Sequence, residues 1–424
     1  MLKSRLNKLT AVPVEENISD SDSFGNQFRN WLRSLGPGII TAALVFGPSK
    51  ITITSKLGAE YGFALLWAVV LAIFFMAIFT SMSGRIGAAT SQSLLSTVRQ
   101  KWGKPMAIAL GFGIFLVTAS FQAGNSIGIG ISLAELTHTS RVQWIVIFNI
   151  IGIGLLFFRA FYKVLEKIML FLISMMLFAF VSTLLLSKPG LSNVATGLIP
   201  SVPQGSFILV IAFFASTFSI VGAFYQSYLV QERIRIRPDV KVKSSDSLPG
   251  ILVLGLLSAI VIISAATILH PKGIKINNAT DMAKALEPIF GKYASSLFLS
   301  GLFGASFSAL IGNATVGGTL LGDALGFGGR LNSKVVKALI ALVMVIGATI
   351  AIVFGTLPLE LIVLAQTVTI FIVPFIGIAI YAIANDAAIM GSLKNKMIPK
   401  IAGGIGLIIV ITLALMSIKN LFFK

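Results

Sequence analysis

The 424-residue sequence predicts an all-α polytopic membrane protein with eleven transmembrane helices. Apolar residues make up 56% of it and charged residues 11%, less than half the roughly 25% charged share of soluble globular domains. Apolar runs of the length a helix needs to cross a bilayer, about 20 residues, recur along the whole chain; lipid offers the backbone no water, so each amide must bond within its own segment. The longest stretch between two runs, about 271–293, is shorter than an independent fold. Whatever the chain does must therefore be done between helices.

The first 35 residues place Lys3, Arg5, Lys8, Arg29 and Arg33 around an acidic, Ser/Asp-rich stretch from Glu15 to Ser23. They lack an apolar core of signal-peptide length and read as a cytoplasmic tail, 1–35, ahead of a single transmembrane domain, 36–424. The spans fall at about 38–61, 63–84, 105–131, 141–158, 164–187, 206–230, 248–270, 294–322, 337–355, 357–384 and 400–418. Spans 1 and 6 are interrupted, by Gly47-Pro48-Ser49 and by Ile220-Val221-Gly222-Ala223. Because the interruptions lie five spans apart, they predict LeuT-type inverted five-helix repeats, about 36–187 and 206–384, plus an extra helix at about 400–418. The substrate site then lies at mid-membrane, where the unwound segments meet.

Lys and Arg set the orientation. The tail and the loops on its side of the membrane hold 23 of the 33, the other side holds 9, and Lys50 is the remainder. The positive-inside rule puts the N-terminus in the cytoplasm and the C-terminus outside, in the plasma (inner) membrane. The net charge of +18 is then topology and attraction to anionic lipids on the cytoplasmic side, to which the Arg233, Arg235, Arg237 loop contributes, and no nucleic acid is needed as a partner. The chain is expected to be a monomer with a small-molecule or ion substrate. It has no cysteine and only two histidines, His138 and His270, both at outer helix ends. A membrane enzyme would need a nucleophile, a metal or paired acids at mid-depth, and none is visible.

Lys50 is the most informative residue. It lies about a dozen positions into span 1, deep in the bilayer at about 1.5 Å per residue. An intramembrane cation costs several kcal/mol unless it is paired, hydrated or deprotonated, so it marks a site. Helix amides exposed at the same break, beside an ammonium, suit an anion. Acidic residues are scarce in the spans: Glu60, Glu232 and Asp323 lie near helix ends, Glu166 and Glu360 begin helices, and all five read as interfacial. Gly124 and Gly128 have the small-xxx-small spacing of helix packing.

Several stretches resemble the NRAMP family of proton-coupled divalent metal transporters. They are Leu35-Gly-Pro-Gly-Ile39, Phe46 to Gly62 with the following Phe63-Ala-Leu-Leu-Trp67, Leu229-Val-Gln231, and Leu364-Ala-Gln366 through Val373-Pro-Phe375. The resemblance implies a secondary transporter that works by alternating access. The family's metal ligands, however, do not carry over. Its span 1 break reads Asp-Pro-Gly-Asn, against Gly47, Pro48, Ser49 and Lys50 here. Its Met-Pro-His in span 6 falls on Ser219, Ile220 and Val221, a second histidine falls on Gln226, and two span 3 acids fall on Gln122 and Asn125.

The expected substrate-binding set is thus Gly47, Ser49, Lys50, Ser219, Val221, Gly222, Gln226, Gln122 and Asn125, with no metal and no cofactor. A small anionic or zwitterionic solute fits this set better than a divalent cation, which needs anionic donors and is opposed by a fixed ammonium. No ATP-binding loop occurs, so an ion gradient must drive transport. The coupling ion is H+, carried on Lys50, or Na+, held by Ser306 and Ser308 of span 8 with carbonyls of the first break. The alternatives are a Mn/Mg-type divalent metal transporter, as the family implies, and a non-transporting sensor with the same fold.

Overall fold

A chain this apolar satisfies its backbone in lipid by coiling, and in the computed structural model nearly all the described residues, 36–158, 161–236, 247–277, 279–354 and 359–422, are helical. The expectations for the tail and for most of the basic loop, 237–246, lie outside them. The helices run in order α1 (Gly36–Val45), α2 (Pro48–Tyr61), α3 (Leu66–Ala89), α4 (Leu94–Trp102), α5 (Lys104–Thr137), α6 (Arg141–Leu155), α7 (Phe161–Ser187), α8 (Leu191–Thr196) and α9 (Phe207–Thr217). There follow α10 (Ile220–Ile236), α11 (Leu248–Ile268), α12 (Ala279–Phe290), α13 (Lys292–Ala324), α14 (Lys334–Phe354), α15 (Leu359–Ala384), α16 (Ala387–Met390) and α17 (Met397–Phe422).

Among the described residues, eight helical segments are long and apolar enough to cross a bilayer, or nine if the pair Thr369–Ala384 and Ala387–Leu393, bent by 64°, counts as one. The expected eleven is thus not reached by unbroken spans. Span 1 is two helices of 10 and 14 residues, α1 and α2, and span 4 is the 15-residue α6, each shorter than the bilayer requires of a single helix.

The first break falls where its residues demand it. Phe46 and Gly47 are non-helical, Gly47 is extended at φ −103° and ψ 179°, and Pro48 opens α2, the helix position where a missing N–H costs nothing. The second break corrects the sequence expectation: Ile220 to Ala223 are helical, and the non-helical pair is Phe218 and Ser219. Ser219 explains the shift, since its Oγ accepts from Gly222 N at 3.3 Å and so caps the start of α10. A Ser three residues before a Gly marks a helix start more strongly than Ile-Val-Gly marks an unwinding.

The long helices α5 and α13 pack along each other through small residues. An added Cβ would lie 2.3 Å from Ala324 Cβ at Gly111, 2.3 Å from Ser306 Oγ at Gly128, and 2.2 Å from Thr118 Oγ1 at Gly317. At Gly128 it would also meet Pro48 Cβ at 2.9 Å, so this contact sets how closely α5 approaches the first break. Gly128→Val is expected to lower the unfolding temperature, with a cost of about 1–3 kcal/mol typical of overpacking. Thermal unfolding in detergent checks this.

The face carrying the α3–α4 and α15–α17 turns is tied by polar contacts. Arg85 Nη1 donates to Leu393 O at 3.2 Å, and Lys101 pairs with Asp386. The hydrogen bond from Lys101 and the Ala388 amide hold the Asp386 carboxyl below its usual range, although an exposed pair of this kind adds little stability.

Candidate functional site

Two helix pairs, α1/α2 and α9/α10, break at matching points, and a cavity of about 50 Å³ lies between the breaks. Gly47, Ser49 and Lys50 line it from the first break, and Ser216, Ser219, Ile220 and Val221 line it from the second. Asn125 and Phe121 of α5, Asn313 of α13 and Thr369 of α15 also line it, and the aliphatic Leu44, Val45, Val117 and Ala215 complete the wall. The starts of α2 and α10 both face it. In a first helical turn the amides have no intrahelical acceptor, so those of Ser49, Ile220 and Val221 are suited to a ligand.

Lys50 is the only charged residue of this lining, which contains no carboxylate among the described residues. It is 2% exposed. Its Nζ donates to Thr217 Oγ1 at 2.5 Å and lies 5.3 Å from the centroid of the Phe213 ring, both on α9. The ammonium therefore sits by the C-terminal end of α9, where the helix dipole favours a cation, and over an aromatic face that does the same. A lysine ammonium has three N–H donors, and the bond to Thr217 uses one.

The other expected site residues divide in two. Gly47, Ser49, Lys50, Asn125, Ser219 and Val221 are brought together around the cavity. Gln122, Gly222 and Gln226 are not; they lie behind it. Gln122 Nε2 donates to Leu310 O at 2.8 Å and its Oε1 accepts from Asn125 Nδ2 at 3.2 Å, so it orients Asn125 and fastens α5 to α13. Gly222 lies against Val45 and Thr41 of α1. Gln226 Oε1 accepts from Thr41 Oγ1 at 2.7 Å, which ties α10 to α1.

The two serines proposed for sodium are not part of the cavity lining. Ser308 Oγ is 3.0 Å from Ala43 O, a carbonyl at the end of α1 that its own helix leaves unpaired, whereas Ser306 Oγ donates to Leu302 O at 2.7 Å within α13. Asn313 Nδ2 approaches Leu44 O at 3.4 Å. Thr217, Phe213, Ser216 and Thr369 were not singled out by sequence. The signal for the first three was available: once Ser219 is read as the cap of α10, the last turn of α9 faces the break.

A second, larger cavity of about 930 Å³ is lined by Tyr228, Gln231, Glu232 and Arg235 of α10, Asp323 of α13, and residues of the 87–96 and 327–333 segments. Asp323 does not fit the interfacial expectation. Although it lies at the end of α13 it is 4% exposed, and Tyr228 Oη donates to its Oδ2 at 2.6 Å. His138 is exposed, and Nδ1 of the exposed His270 lies 3.0 Å from Ala59 O.

Broken helices facing each other across a cavity inside an apolar helical bundle have the architecture of a membrane transporter. The family profile described as "Natural resistance-associated macrophage protein-like" matches residues 38–420, and the chain belongs to that family, NRAMP. It is 23% identical over 403 residues to the divalent metal cation transporter MntH of Chromohalobacter salexigens, covering 93% of this chain and 92% of that one. Its fold is similar to that of the Eremococcus coleocola manganese transporter, with a TM-score of 0.73 at 20% identity over 98% of this chain and 90% of that one. It is also similar in fold to a Na+-coupled sialic acid symporter, with a TM-score of 0.58 at 12% identity over 91% and 89% of the two chains.

Proposed function

We propose that the chain is a secondary transporter whose central site takes a small anionic solute, or a zwitterion that presents its anionic group to Lys50. The observation that carries this is a buried lysine side chain in a largely apolar cavity wall whose polar groups are amides, hydroxyls and backbone N–H groups, with no carboxylate among the described residues. A divalent cation 4 Å from that ammonium would be opposed by on the order of 8 kcal/mol at an effective dielectric constant of 20. The names of the relatives favour a divalent metal as the second reading. Similarity in fold does not choose between the two, since one structural neighbour is a manganese transporter and another a sialic acid symporter.

The proposal includes the N-terminus in the cytoplasm, the C-terminus outside, a monomer in the plasma membrane, and repeats at about 36–187 and 206–384. Coupling is through a proton on Lys50. Sodium between Ser306, Ser308 and the end of α1 is the competing route. Uptake into proteoliposomes is expected to follow a pH gradient and to ignore a sodium gradient. Sodium-driven uptake that disappears in the Ser306→Ala, Ser308→Ala double variant would assign the coupling to sodium.

The solute itself is found by thermal shift on the purified protein with bicarbonate, small carboxylates and amino acids. A ligand of the folded state at 100 times its Kd adds about 2.7 kcal/mol. Stabilisation by Mn²⁺ and by none of the anions would overturn the reading.

A further inference from the structure

The half-helix α10 borders both cavities. Its first turn, Ile220 and Val221, lines the central one, and Tyr228, about 10 Å further along the helix, lines the larger one. It joins α9 through two non-helical residues, Phe218 and Ser219, so it can pivot at the break without unwinding. Its far end is held by polar contacts. Tyr228 Oη donates to Asp323 Oδ2 at 2.6 Å on α13 and accepts from Leu95 N at 3.2 Å on α4. Arg99 of α4 donates to Asp323 O at 3.0 Å and Ala324 O at 2.8 Å, which completes a three-helix junction at the cavity wall.

Asp323 is the one fully buried carboxylate among the described residues. Burying a carboxylate costs several kcal/mol, and an apolar contact would hold two helices at least as well, so this pair is a poor choice for a permanent staple. It is suited to a contact that breaks. Both partners line the larger cavity, so on separation each is rehydrated there rather than stranded in protein.

We propose that the Tyr228–Asp323 hydrogen bond is the latch of a gate between the two cavities: closed, it holds α10 against α13; released, it lets α10 pivot and connects the central site to the larger cavity. The latch is independent of which solute the central site takes.

The absence of cysteine from the sequence makes the test direct. Ser216→Cys places a single thiol in the central cavity, and its rate of reaction with a membrane-impermeant maleimide is measured in right-side-out and inside-out membrane vesicles. A separate Ser333→Cys variant, in the wall of the larger cavity, identifies which preparation exposes that face. In the Ser216→Cys background, Tyr228→Phe and Asp323→Asn are each expected to raise labelling from the Tyr228 face about tenfold. That factor corresponds to about 1.4 kcal/mol, near the lower end of the range for a hydrogen bond to a charged group. Labelling from the opposite face is expected not to rise. Tyr228→Phe keeps the ring that packs on Gly329 and stacks on Tyr225 at 5.9 Å, so it decides the matter if Asp323→Asn fails to fold. Rates within twofold of the background from the Tyr228 face, equal rises from both faces, or a Tyr228→Phe protein that does not fold would each make the pair a structural staple and overturn the proposal.

Discussion

Lys50→Met is expected to abolish solute uptake, reducing it by a factor of 100 or more, and to remove its pH dependence while leaving the protein folded. Removing one partner of a desolvated charge pair costs about 3–5 kcal/mol, and a factor of 100 requires only about 2.7. The fold should survive because methionine keeps most of the length that packs against Phe213, and what it gives up is one hydrogen bond to Thr217 and a charge that is costly to bury. The unfolding temperature is therefore expected to be unchanged or higher. Lys50→Arg should also impair uptake, for a different reason: the guanidinium can pair with an anion but stays protonated throughout the cycle, and its planar fork does not fit the single acceptor at Thr217. Normal rate and pH profile in the Met variant would make Lys50 a structural lysine.

Calorimetry with Mn²⁺ is expected to give no binding tighter than millimolar in the unaltered protein, and affinity about 100-fold tighter in a Gly47→Asp, Lys50→Asn, Ser219→Met triple variant. The three changes put back the ligands that the family carries at its two breaks and remove the opposing charge. The geometry bears on how well this works. A Cβ at Gly47 would lie 3.0 Å from Ala309 Cβ and 3.1 Å from Asn125 Oδ1, so a new carboxylate requires a shift of a few tenths of an ångström and a turn of the Asn125 amide to present Nδ2. Micromolar Mn²⁺ affinity in the unaltered protein would restore the metal reading. A triple variant that folds and still binds no metal would show that more than these ligands has changed.

Much of this fold is legible in the sequence, because the bilayer imposes one simple condition: long apolar runs must be helical, and the two places where Gly, Pro and Ser interrupt such runs stand out. The first break, expected at Gly47-Pro48-Ser49, falls one residue earlier at Phe46 and Gly47, because proline opens the following helix. The second was placed too late, since Val221 and Gly222 look like helix breakers only when the capping role of Ser219 is overlooked. That shift explains why Gly222 is expected in the cavity wall and why Thr217 and Phe213 are not, whereas Gln226 is expected there because a family histidine falls on it; both Gly222 and Gln226 face α1. Lys50 was legible because a charge at mid-depth always needs an explanation. Asp323 was not: a residue at a helix end reads as interfacial, and only the return of α10 and α4 over the end of α13 buries it. Side-chain partners across 95 residues, such as Tyr228 and Asp323, leave no local trace in a single sequence.

The most direct test is a parallel flux measurement with the unaltered protein in proteoliposomes, comparing Mn²⁺ with the anion selected by thermal shift. The expected result is pH-driven uptake of the anion and no entry of Mn²⁺ above protein-free vesicles at micromolar concentration. Saturable Mn²⁺ uptake at that concentration, with no uptake of any anion, would contradict the account.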